Sequence, residues 1–95
     1  MLLLGKFKIV GHSMEPRIKN GDLVLVSNIS YLFKTPRIND IVAFKENNQV
    51  LIKKIISIQS EKYFVEGDNK MDSLDSRKFG AISKDKIIGK MIIKL

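Results

Sequence analysis

Cysteine is missing from this sequence, and that absence removes disulfides, thiolate metal sites and cysteine nucleophiles together. A single histidine, His12, is too few for a zinc site built on imidazoles, and no metal or cofactor is expected. Tryptophan is absent, and aromatic residues make up 7% of the chain, thin for a platform that stacks nucleic-acid bases. Long apolar runs are missing as well. The longest uninterrupted ones, such as 1–4 and 23–26, hold four residues, against the roughly 20 that a spanning helix needs. They are also too short for the apolar part of a secretory leader. The expectation is a cytoplasmic chain with at most peripheral contact to an anionic membrane.

What remains is ordinary for one soluble domain covering residues 1–95, with 44% hydrophobic and 28% charged residues. Lys and Arg outnumber Asp and Glu by 17 to 10, a net charge of +7. That balance admits nucleic acid or acidic lipid as a partner. The bases are scattered rather than interleaved with aromatics, so the charge reads as solvated faces and nucleic acid is not expected.

The patterning is that of an all-β, barrel-like domain with at most short helical turns. Strands are expected at Phe7–Val10, Asp22–Asn28, Asp40–Lys45, Val50–Gln59 and Tyr63–Glu66, with a last strand, Ile87–Leu95, broken at Gly89. Asn20-Gly21-Asp22 and Glu46-Asn47-Asn48-Gln49 are turn signals. Residues 28–39 read as a surface loop around Thr35-Pro36, and 67–80 as a polar, irregular stretch. Ile82–Lys86 reads as a helical turn.

Two features point to chemistry. Gly11-His12-Ser13-Met14-Glu15-Pro16 places a serine hydroxyl at a strand end, where a rigid scaffold presents reactive groups. A serine before a proline turn more often caps backbone N–H groups. His12 is adjacent to Ser13, and neighbouring side chains diverge on a strand, so a Ser-His pair is not expected. The second feature is Lys53-Lys54 inside an apolar strand, where the two side chains face opposite sides. Both ammonium groups can snorkel to water. Alternatively, one is buried, which favours its neutral form and makes it a base for a serine.

The boxes Gly11-x-Ser13-Met14-x-Pro16, Gly21-Asp22, Asn39-Asp40-Ile41-Val42, Ile52-Lys53-Lys54 and Gly67-Asp68-Asn69 occur in that order, followed by Ser73-x-Asp75-Ser76-Arg77-x-x-Gly80. In this order the chain resembles the type I signal peptidases, from about Val10 to Gly89. The resemblance implies a serine endopeptidase with Ser13 as nucleophile and Lys53 as general base. It implies that Ser73 and Asp75 position the lysine, that Arg77 pairs with Asp75, and that the Ser13 N–H enters the oxyanion hole. Substrate is expected as an extended strand touching Gly11, Met14 and Leu51, cut after small side chains. The chain departs from the family pattern at Arg17, Lys54 and Gly11, where threonine, arginine and, in some members, serine are usual. It looks most like short members that remove the N-terminal extension of nickel-type superoxide dismutase. Rival readings are a signal peptidase acting on secretory leaders with a partner, a self-cleaving repressor-type protease, and a small basic β-barrel that binds nucleic acid or peptide without catalysis.

Overall fold

The computed structural model describes residues 4–71 and 75–95. The apolar stretches form the strands β1 (Leu4–Lys8), β2 (Leu23–Ser27), β3 (Ile41–Glu46), β4 (Gln49–Gln59), β5 (Lys62–Glu66), β6 (Ile82–Ser83) and β7 (Ile87–Lys94). They make one antiparallel sheet in the order β1-β2-β7-β3-β4-β5-β6. The last strand of the chain therefore lies in the middle, between β2 and β3.

β3 shows how the core is divided. Ile41, Val42, Ala43 and Phe44 are all buried, and alternate side chains leave opposite faces. Ile41 and Ala43 join Ile9, Met14, Ile18, Val24 and Val26, while Val42 and Phe44 join Ile55, Tyr63, Val65 and Ile82. With cover on both faces, an uninterrupted apolar run replaces simple alternation.

The mainly-β expectation holds, with one correction to its shape. Among the described residues the sheet does not close into a barrel, because β6 has two residues and pairs only with Lys62 and Tyr63, while β1 pairs with β2. A two-residue edge cannot carry a closing ladder. Local boundaries also differ. The first strand is Leu4–Lys8 rather than Phe7–Val10. Ile82–Lys86 divides into β6 and a 3₁₀ turn at Lys84–Lys86. β7 runs unbroken through Gly89, where a Cβ would lie 2.7 Å from the Ser27 carbonyl oxygen. Glycine there lets β2 and β7 approach closely rather than ending a strand. Among the described residues of 67–80 there is one helical turn, α1 (Ser76–Phe79).

Candidate active site

The segment after β1 is a closed loop. Ile9 N–H donates to Asp22 O at 2.8 Å and Gly21 N–H donates to Ile9 O at 2.8 Å, which brings residues 9 and 21–22 together. Gly11 takes φ +100°, a conformation that suits glycine, and its N–H donates to Asn20 Oδ1 at 2.8 Å. Met14 and Ile18, 2% and 1% exposed, plug the loop into the core. Ser13 is thus carried by a turn whose next residue is fixed in packed surroundings. The His12 side chain pairs with Glu15: its Nδ1 lies 2.5 Å from Glu15 Oε2. That hydrogen bond holds the Glu15 carboxyl below its ordinary range.

Lys53 arrives from β4. Its register partner on β3 is Val42, and it shares a strand face with Leu51 and Ile55. Its side chain is 4% exposed, and its Nζ donates to Ser13 Oγ at 2.5 Å. Lys54 leaves the other face and pairs with Asp68, Nζ to Oδ1 at 3.0 Å. The two neighbouring lysines therefore have separate surroundings, with Lys53 on a part-buried hydroxyl and Lys54 on a carboxylate near the surface.

Residues 67–80 tie these parts together. Asn69 N–H donates to Ser13 O at 2.7 Å, and Asn69 Nδ2 donates to His12 O at 3.1 Å. Gly67 N–H donates to Asp75 Oδ2 at 3.0 Å. Asp75 is fully buried, caps α1 by accepting from Arg77 N–H, and accepts from Arg77 Nε and Nη2 at 3.0 and 2.9 Å. These hydrogen bonds raise the Arg77 guanidinium above its ordinary value. Ser76 Oγ accepts from Val65 N–H at 2.8 Å, docking the helical turn on β5.

Between residues 7–10 and β4 lies a cleft of about 140 Å³, with Ser13 and Lys53 in its wall. Phe7, Ile9, Leu51 and Ile52 supply apolar lining. The signal peptidase model, peptidase S26, matches residues 1–61 and 57–95. The chain belongs to that family. It is 29% identical to signal peptidase I V of Bacillus subtilis (strain 168), over 87% of this chain and 80% of that protein. It is 30% identical to the mitochondrial inner membrane protease subunit 1 of Mus musculus, over 90% of this chain and 65% of that protein. Against thylakoidal processing peptidase 1 of Arabidopsis thaliana, identity is 25% over 86% of this chain and 39% of the plant protein.

The structure brings Ser13 and Lys53 into contact and joins Asp75 to Arg77. Met14 and Leu51 line the cleft, although Met14 is chiefly a core side chain, and Gly11 lies outside the cleft wall. Ser73 falls outside the described residues. Sequence reasoning gave no role to Asn69 or Asp68. The signal for both was the Gly67-Asp68-Asn69 box itself, a turn-forming triplet whose side chains reach the Ser13 loop and Lys54.

Proposed function

We propose that this S26-family protein is a serine endopeptidase that removes an N-terminal leader or propeptide, with Ser13 and Lys53 as its dyad. The observation that carries this reading is the 2.5 Å contact between Lys53 Nζ and Ser13 Oγ at a lysine almost entirely withdrawn from water. The neutral amine of Lys53 takes the hydroxyl proton as Ser13 Oγ bonds to the scissile carbonyl carbon. The oxyanion formed is held by the Ser13 N–H. On collapse the C–N bond breaks, and the Lys53 ammonium returns the proton to the leaving amine. Lys53 then takes a proton from water as that water attacks the acyl ester. The second collapse breaks the ester, and Ser13 Oγ regains a proton from Lys53. Family membership supports the reaction class, and the apolar cleft beside the dyad supports an extended peptide as substrate. Peripheral contact with an anionic membrane belongs to the same reading, supported by the net charge of +7. Among the described residues no helix is long and apolar enough to cross a membrane.

The test is cleavage of a peptide library followed by mass spectrometry, with Ser13→Ala and Lys53→Ala beside the wild type. The library includes the N-terminal extension of a nickel-type superoxide dismutase and secretory leaders. Cuts after small residues are expected, with each variant at least about 10³-fold slower, as for a dismantled nucleophile–base pair. Cuts that persist in Ser13→Ala would refute the dyad. Salt-sensitive polynucleotide binding without any cleavage would favour the basic binding module instead.

A further inference from the structure

One residue holds both carbonyls beside Ser13. The Asn69 backbone N–H donates to Ser13 O at 2.7 Å, and its side-chain Nδ2 donates to His12 O at 3.1 Å. His12 O also accepts from Glu15 N–H at 3.2 Å, so this carbonyl is pinned on the inner side of the turn. A carbonyl oxygen can only accept, which fixes the Asn69 amide with its NH₂ group toward His12. Among the described residues the one cis peptide is Glu15–Pro16, so the His12–Ser13 peptide is trans. In a trans peptide the C=O and N–H point to opposite sides of one rigid plane. Holding His12 O therefore fixes the direction of the Ser13 N–H.

We infer that Asn69 is a positioning residue that aims the oxyanion hole, by gripping the far end of the peptide that carries its donor. The inference rests on the reading of Ser13 as the nucleophile. Asn69 acts through the peptide and not on the substrate. A carbonyl that accepts two hydrogen bonds also polarises its own amide, which strengthens the N–H on the other side. The grip is itself braced, because Asp68 is paired with Lys54 at 3.0 Å and Gly67 N–H is bound to the buried Asp75. An oxyanion exists in the transition state and not in bound substrate, so misaiming the donor lowers kcat and leaves KM nearly unchanged.

The test uses Asn69→Asp, which keeps the size and the backbone N–H bond but turns a donor into an acceptor facing His12 O. Asn69→Ala serves if the aspartate variant fails to fold, as judged by thermal melting. Deleting an oxyanion donor lowers kcat about 10²–10³-fold. Here the donor remains but is misaimed, so a fall of roughly 10- to 100-fold is expected. KM should stay within about twofold, and a peptide boronic acid, which forms a tetrahedral adduct with serine, should bind more weakly by the same factor as kcat falls. The Ser13 amide signal in a ¹H–¹⁵N spectrum should move, while amides of β5 stay in place. An unchanged kcat, or a loss confined to KM with boronate affinity intact, would overturn the role of Asn69 while leaving the Ser13–Lys53 reading standing. If the wild type neither cleaves nor captures boronate, that reading fails, and the Ser13 amide alone decides. A Ser13 signal unmoved by Asn69→Asp then refutes the positioning.

Discussion

Lys53 sits among apolar neighbours with its amine on a hydroxyl, and burial works against the charged form of any ammonium group. The proposed mechanism needs the unprotonated amine. Activity should therefore be lost as pH falls through the Lys53 titration and rise as pH climbs through it. The expected profile of kcat/KM has a single-proton ascending limb on its acid side, placed below the free-lysine value of about 10.4 because burial disfavours the ammonium. The hydrogen bond to His12 holds the Glu15 carboxyl below its ordinary range, away from that limb. Lys53→Arg supplies a direct check, because a guanidinium stays protonated throughout and cannot serve as base. Background activity is expected at every pH, and substantial cleavage by this variant would remove Lys53 from the mechanism.

At the scale of elements, α1 is only four residues long, yet it fixes the loop that reaches Ser13. Its strength comes from Asp75, itself fully buried, whose two oxygens accept from the N–H of Gly67 and Arg77 and from the partly exposed Arg77 guanidinium. Asp75→Asn would set an NH₂ group against some of those donors. Because Arg77 is partly exposed and can rehydrate, a loss of about 2–4 kcal/mol is expected in urea unfolding, below the upper end for a broken buried pair. A change under about 0.5 kcal/mol would mean that the loop is held by other contacts. The strands were legible because periodicity depends on local chemistry, while Ser13 and Lys53 were singled out only by the ordered boxes and the resemblance they carry; the fold brings the two into contact. Arg77 was expected to pair with Asp75, but the helical turn that Asp75 caps and its bond from Gly67 N–H were not read, since a run of turn formers looks irregular until these groups meet. Gly89 misled for a related reason: a glycine in a strand marks an interruption or a close approach, and only the position of Ser27 on β2 decides between them. Barrel closure was likewise beyond reach, because pattern reveals strands but not which edges remain unpaired.

Over the whole molecule, the radius of gyration of 12.2 Å matches the roughly 12 Å expected for 95 residues, so the cleft is not a product of loose packing. It arises from topology. β1 is the last strand on its side of the sheet, and β4 pairs with β5 only from Lys54 onward. Among the described residues, the stretch of β4 before Lys54 is thus paired on its β3 side alone, and this stretch and residues 7–10 border the same cleft. Lys6 and Lys8 on β1 blunt that edge against pairing with other copies. In the proposed reaction a substrate strand lies in the gap and pairs by its backbone with that open stretch of β4, presenting alternate side chains to the apolar lining. Replacing backbone N–H groups of a cleaved peptide by N-methyl, one position at a time, tests this. Strand pairing predicts a weakening of about 3- to 10-fold for each lost hydrogen bond, corresponding to about 0.5–1.5 kcal/mol, at every second position before the cut. Positions between them should tolerate methylation. A uniform response along the peptide, or none, would mean that side chains alone hold the substrate beside Ser13.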